Sequence, residues 1–359
     1  MTTAAAPGIA PQGTPSTTMP CPACRGDMVR ALSEHPGYRD DGQVFGVFRC
    51  PACGSSAAWP RTVPGDLYDV IYAQAARIPG YSRYEEYATL VSRSGDPLRE
   101  LADREDVYWG IAAALQEMGG PGGVGRVLDI GCGLGYLTFA LSRVGYDVRG
   151  LDVSKQAIAV ARARFGDLFS VGTAAEFKAA SHETWSVAIL AEVLEHVPDP
   201  GALLAEVWSL VAPGGALIVT TPNRTALAPA VIWDTDPPPV HLTWFTEEGV
   251  RRLGGSLGAV TTFTDFTGYS ATHPTWRLRV PAGRVTRGPM IAADGSPLQD
   301  PSTLEGTRRA LSGLPGGPAL VALLQSLRGR LRVRGSRRDT MVAVLRRPAS
   351  SVNPVSSPA

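Results

Sequence analysis

At 359 residues the chain is long enough for one large domain plus a small one. A hydrophobic fraction of 44% and a charged fraction of 19% are those of a globular protein. The formal net charge of only +1 excludes a global field for nucleic acid or anionic membrane, and no apolar stretch reaches the roughly 20 residues that span a bilayer. The N-terminus has no charged segment followed by an apolar core, so no secretory leader is read and a cytoplasmic location with reduced thiols is expected.

Residues 1–19 are mostly Ala, Thr, Pro and Gly and read as a disordered tail. Residues 20–60 hold four of the five cysteines, Cys21-Pro22-Ala23-Cys24 and Cys50-Pro51-Ala52-Cys53-Gly54. Each CxxC puts two thiolates on one tight turn, and two such turns complete a four-thiolate zinc ribbon. Reduced thiols or a redox pair are the alternative, against which the matching pair of CPAC knuckles argues. All four metal positions are filled by protein, so this zinc is structural. The cations Arg25, Arg30, Arg39 and Arg49 are offset by Asp27, Glu34, Asp40 and Asp41, which disfavours nucleic acid as a partner.

Residues 61–118 read as a helical connector, with Tyr68, Ile71 and Tyr72 spaced like one buried face. Tyr81, Tyr84 and Tyr87 also sit at helical spacing, as core or as a cover over the active site. Gly119 to Gly125 is nearly all turn chemistry and opens a domain over 119–347. From Arg126 strands and helices alternate, which predicts an α/β, doubly wound, mostly parallel sheet of seven strands, Rossmann-like. Strands are expected near 126–131, 147–152, 168–171, 185–191, 215–221, 259–267 and 340–345. Helices are expected near 135–144, 154–164 and 200–211, the second capped by Ser154, and one more begins at Thr246-Glu247-Glu248. An Arg-rich insertion spans 270–338, most simply a solvated lid, and a Ser/Pro-rich tail 348–359 is expected to be disordered.

Val127-Leu128-Asp129-Ile130-Gly131-Cys132-Gly133-Leu134-Gly135 is a buried strand running into a turn of low side-chain bulk, where backbone can lie against a ligand. Asp152 ends the next strand, where a ribose diol would be gripped. The GxGxG spacing resembles the first motif of class I S-adenosylmethionine-dependent methyltransferases. That resemblance implies that Gly131, Gly133 and Gly135 pass under the methionine portion of the cofactor, that Asp129 helps hold its amino group, and that Asp152 with Val153 meets the ribose. Cys132 reads as a small filler. Where many relatives carry an acid for the adenine amino group, this chain has Thr173, so backbone at Thr173 and Ala174 is expected to serve.

Glu192-Val193-Leu194-Glu195-His196-Val197-Pro198-Asp199-Pro200 follows the fourth strand and resembles a segment of the ubiquinone-biosynthesis O-methyltransferases. In those enzymes the matching glutamates and histidine are associated with a divalent cation, which implies Glu192, Glu195 and His196 as candidate ligands. Glu192 is also expected to meet cofactor or substrate. His196 is either a general base poised near neutral pH or a hydrogen-bonded loop histidine. The segment from Pro237 to Thr246 resembles one before the next helix in zinc-ribbon relatives, with His241 and Trp244 either lining the acceptor pocket or packing the loop. The reading is methyl transfer from S-adenosylmethionine to a small molecule, foremost an O-methylation in natural-product or sugar biosynthesis. An RNA or protein methyltransferase docking through the ribbon and the Arg-rich segment is the first alternative. A non-catalytic cofactor-binding regulator is the second. The oligomeric state is not legible.

Overall fold

The computed structural model describes residues 18–75, 77–78, 80–181, 183–227, 231–273, 275–278, 288–298, 330–333 and 335–349. The expected tails, apart from 18–19 and 348–349, and most of the 270–338 insertion lie outside the described residues.

The N-terminal part builds β1 (Thr18–Pro20), β2 (Asp27–Pro36), β3 (Arg39–Asp40), β4 (Val44–Arg49) and β5 (Ser56–Trp59). Strand β1 pairs antiparallel with β2 and buries Met19, so the first strand begins inside the segment read as a tail. Four helices follow: α1 (Leu67–Ala73), α2 (Ser82–Arg93), α3 (Pro97–Ala102) and α4 (Asp106–Glu117). Then come β6 (Arg126–Ile130), α5 (Tyr136–Arg143), β7 (Asp147–Asp152), α6 (Lys155–Phe165), β8 (Phe169–Val171), α7 (Ala174–Ser181), β9 (Trp185–Ala191), α8 (Pro200–Trp208) and β10 (Val211–Pro222). The chain closes with β11 (Thr243–Trp244), α9 (Glu247–Ser256), β12 (Val260–Phe263), α10 (Thr267–Thr272), β13 (Thr275–Leu278), β14 (Ile291–Ala292), β15 (Arg330–Val333) and β16 (Thr340–Arg346).

The main sheet has seven strands in the order β12-β16-β10-β9-β6-β7-β8, and β16 runs antiparallel to both neighbours. The chain winds outward from β6 through β7 to β8, then returns to the other side of β6 as β9. That reversal is a topological switch point, where the carboxyl ends of neighbouring strands leave a crevice. Local chemistry fixes the helix starts. Ser154 accepts from the Ala157 N–H at 3.1 Å, Asp199 from Ala202 at 3.0 Å, and Thr246 from Gly249 at 3.0 Å. Helix α7 was not anticipated, although Thr173 and Glu176 form a reciprocal capping box at its start.

The ribbon is not a separate module. Its sheet order is β1-β2-β4-β5-β11, so a strand from the large domain completes it. Cys21, Met28, Phe48 and Cys50 share one buried cluster with Leu128, Leu190, Leu217 and Phe245. Such a small segment cannot bury enough apolar surface alone, and it borrows its neighbour's.

The Arg-rich insertion is not wholly solvated either. Met290 and Ile291 are buried against Tyr38, Leu67 and Ile71, and β14 pairs with β3. Arg337 bridges Glu247 at 2.8 Å, and Arg338 bridges Asp106 at 2.6 Å.

Candidate active site

The turn after β6 lies at the switch point. Gly131 adopts φ +76°, and a Cβ there would stand 2.5 Å from Val193 Cγ2, so glycine at this position serves close packing. A Cβ on Gly135 would likewise meet the Phe169 ring at 2.5 Å. Gly133 differs: its φ is +51° and a Cβ would meet nothing within 4 Å. Of the three glycines, this one fronts open space where a ligand can approach backbone.

Asp152 braces the same turn, its two carboxylate oxygens accepting from the N–H groups of Gly133 and Ser154, each at 2.8 Å. Each oxygen keeps a second lone pair, so the carboxylate can also accept from a diol. Val153 beside it is 69% exposed, an apolar surface open to a ligand.

Three residues expected on the cofactor side are engaged within the protein. Asp129 is only 1% exposed and accepts from the Thr138 hydroxyl at 2.6 Å, so it braces the turn from the α5 side. Strand alternation sends its side chain to the α5 face, and burial raises its carboxyl to about 6. Thr173 gives its backbone N–H to Glu176 at 2.8 Å, so that donor is taken by the helix cap. Ala174 is buried in α7 and adds no exposed surface. Cys132 is buried, and its thiol is pushed up by burial and by the nearby carboxylates of Asp129 and Asp152, consistent with a filler.

Across the crevice stands the end of β9. Glu192 adopts φ +54°, a left-handed conformation that a non-glycine residue holds only when its surroundings enforce it. Its N–H donates to the Thr220 hydroxyl oxygen at 3.0 Å, and that hydroxyl donates to Glu192 Oε1 at 2.9 Å. Burial raises its carboxyl to about 7, against the Thr220 hydrogen bond and Arg83, which lower it.

His196 is fixed by its neighbours. Its Nδ1 lies 2.8 Å from the Val240 carbonyl oxygen, which only accepts, so Nδ1 carries the proton and Nε2 keeps a lone pair. Burial lowers its pKa, which keeps the ring neutral. The Tyr68 hydroxyl lies 3.1 Å from Nδ1, and the His241 ring stands edge-on at 4.6 Å between centroids. His241 is itself bonded through Nδ1 to the Thr235 hydroxyl. Trp244 does not join this group: it is buried among Phe45, Val47 and Trp233.

Glu195 is fully buried, and neither carboxylate oxygen has a hydrogen-bond partner among the described residues. Burial and the Glu192 charge hold its carboxyl well above the usual carboxylate range. The expected cation ligands therefore need correction. The ligand atoms that come together, within 4.8 Å of one another, belong to Glu195, His196 and His241. Glu192 stays outside, turned to Thr220 by its backbone conformation. A buried carboxylate with Oε1 3.9 Å from His196 Nε2, beside two imidazoles, fits a divalent cation.

Tyr84, expected as core or cover, and Tyr72, expected only on a buried helix face, both act on the charged groups of the site. Tyr72 acts electrostatically with Asp152 and Cys132, and Tyr84 with Arg83, Asp236 and Glu192. Their signal was the i, i+4 spacing of Tyr68 and Tyr72, which apolar periodicity alone assigns to core. Tyr87 does sit in the core, donating its hydroxyl to Glu105 at 2.7 Å. A surface groove of about 700 Å3 lined by Glu85, Glu86, Arg93 and Arg104 contains none of these residues.

In the ribbon, Cys21 Sγ lies 3.7 Å from Cys53 Sγ and Cys24 Sγ 3.4 Å from Cys50 Sγ, and all four fall within 4.8 Å. Tetrahedral thiolates at about 2.3 Å from zinc stand roughly 3.8 Å apart, so the quartet fits that ion. Arg25 and Gly54, each following a knuckle, share the left-handed conformation at φ +64° and +78°.

Residues 88–261 match a family model described as a methyltransferase domain. The chain carries a class I S-adenosylmethionine-dependent methyltransferase domain. Over 153 residues it is 35% identical to the ubiquinone biosynthesis O-methyltransferase of Burkholderia orbicola, covering 39% of this chain and 62% of that protein. Over 106 residues it is 39% identical to the protein of the same name from Thiobacillus denitrificans, covering 28% of this chain and 46% of that one. The chain thus spans 62% of the length of the Burkholderia relative. A solved S-adenosylmethionine-dependent methyltransferase from Archaeoglobus fulgidus is 15% identical with a TM-score of 0.37, covering 66% of this chain and 93% of that one. The glycine turn, Asp152, Glu192 and His196 all lie within the matched residues of the methyltransferase domain.

Proposed function

We propose that this protein transfers the methyl group of S-adenosylmethionine to a hydroxyl of a small molecule, with His196 as the base. The observation that carries the reading is the pairing, at one switch point, of an open glycine turn braced by Asp152 with an imidazole whose proton is confined to Nδ1. The bound cofactor supplies a methyl group on a sulfonium, an electrophile that needs only an aligned nucleophile. Gly133 and Asp152 hold the cofactor, while Tyr68 and Tyr72 of α1 and Tyr84 of α2 wall the crevice and exclude water. His196 Nε2 takes the proton that the acceptor hydroxyl releases. Were a divalent cation bound instead, Glu195, His196 and His241 would hold it, His196 through the Nε2 lone pair that then no longer acts as base, and it would supply the lowering of the pKa of a nearby hydroxyl.

The polar tips of Tyr68, Tyr72 and Tyr84 suit a compact acceptor with several hydroxyl groups, a phenol or a sugar. Methylation in natural-product or sugar biosynthesis is the setting this supports. Macromolecular docking is less well supported, because Arg338 is buried in its pair with Asp106. The test is release of S-adenosylhomocysteine from purified protein offered S-adenosylmethionine with catechols, phenols and nucleotide-linked sugars. Turnover with one of these classes is expected. Turnover confined to RNA or protein would overturn the acceptor class, and cofactor binding with no transfer to any acceptor would leave a regulator.

A further inference from the structure

Arg61 follows β5 at the edge of the ribbon and makes four hydrogen bonds, all to groups beside the two histidines. Its Nε donates to the Pro198 carbonyl at 2.9 Å and Nη2 to the Val197 carbonyl at 3.2 Å, immediately after His196. Its Nη1 donates to the Leu242 carbonyl at 3.0 Å and Nη2 to the Thr243 hydroxyl at 3.0 Å, immediately after His241. The two segments come from connections more than forty residues apart in sequence, the β9–α8 loop and the loop before β11. None of the four partners carries a charge. A half-buried guanidinium whose hydrogen bonds all go to neutral oxygens gains little from its charge there, so its fork geometry is what the site uses. Burial accordingly lowers its pKa to about 10.

The ribbon reinforces the same join. The Ala58 N–H donates to the Leu242 carbonyl at 3.0 Å, and β5 pairs with β11 through Ala57 and Thr243. The Leu242 N–H in turn donates to the Glu195 carbonyl at 2.8 Å. The Val240 carbonyl that fixes the His196 tautomer lies on this clamped segment.

We infer that Arg61 is a positioning residue: it clamps the loops bearing His196 and His241 to each other and to the zinc ribbon, and so fixes the imidazole that receives the acceptor's proton. The inference rests on the proposed role of His196, but the clamp itself is testable without an acceptor. Arg61→Gln and Arg61→Lys keep a donor but lose the fork, and Arg61→Ala removes it. Histidine ring nitrogens are read by NMR in wild type and variants, with S-adenosylmethionine affinity by calorimetry and a thermal melt alongside.

In wild type, His196 gives a single Nδ1–H tautomer with through-space contact to His241. In each soluble variant a mixture of tautomers and loss of that contact are expected, with cofactor affinity within about threefold of wild type. Arg61→Lys should not restore the wild-type pattern. An unchanged His196 signal in any variant that melts like wild type overturns the clamp. A loss of cofactor affinity that parallels the melting temperature also overturns it, because Arg61 would then be general scaffold. Failure of wild type itself to bind S-adenosylmethionine would sink the proposed function, while the tautomer comparison would still decide the clamp.

Discussion

At the scale of single residues, the glycines of the turn have separable duties. Gly131→Ala places a methyl group against Val193 at a left-handed position, so a stability loss of roughly 2 to 4 kcal/mol is expected by denaturant titration. Gly133→Ala meets open space and should cost only about 1 kcal/mol of backbone strain, yet weaken S-adenosylmethionine at least about tenfold. Equal effects of the two changes on cofactor affinity would refute this division. The motif spacing identified the turn, but which glycine faces the ligand depends on Val193 and Phe169, distant in sequence. The same blindness applied to Asp129, whose neighbour Thr138 becomes visible only once α5 is docked. Glu192 was legible as a site residue from its place after β9, whereas its left-handed backbone and its tie to Thr220 were not.

Glu192 also has a signature in stability. Its folded carboxyl is raised to about 7 from an ordinary 4.5, so the folded state keeps a proton that the unfolded chain releases. That contribution is fully present below pH 4.5 and is lost as pH rises through 7, an effect of about 3 kcal/mol. Asp129, raised to about 6, acts in the same direction over a lower range. Ligand-free Glu192→Gln should therefore lose less stability than wild type between pH 5 and 8 in denaturant titrations. Parallel pH curves for the two proteins would show that Glu192 is not protonated in the folded state.

At the scale of elements, strands were read well where apolar runs ended in turn chemistry. Strands β7 and β9 match their expected spans of 147–152 and 185–191. Strand β10 begins earlier than expected, at Val211, because that residue pairs with Trp185 before the Pro213-Gly214-Gly215 irregularity and the main register from Ala216. Helix α7 escaped because its eight residues bury only Ala174 and leave little apolar periodicity. Strand β11 has two residues and exists only because the ribbon edge offers partners. Such long-range pairings leave no local trace.

At the scale of the whole molecule, the cysteine spacing announced a four-thiolate quartet that fits zinc, but not its consequence. Because Cys21, Cys50 and Cys53 belong to the same buried cluster as Leu190 and Phe245, removing the metal should unsettle the large domain as well. The Thr246 hydroxyl, which caps α9, also donates to the Cys53 carbonyl at 2.5 Å. Chelation, or Cys53→Ser, is expected to lower the melting temperature by roughly 10 °C or more in one cooperative transition. Two separate transitions, with the large domain melting as before, would restore the picture of an independent ribbon. The seven-stranded sheet followed from the alternation of elements. The shared core did not, because contacts between residues some 140 positions apart have no periodicity to read.

The most direct test of the central claim is calorimetry of S-adenosylmethionine with wild type and Asp152→Ala, each checked for folding by its melt. Wild type should bind one equivalent, and the variant should keep its fold while showing no measurable binding. Equal binding by both folded proteins would contradict the account.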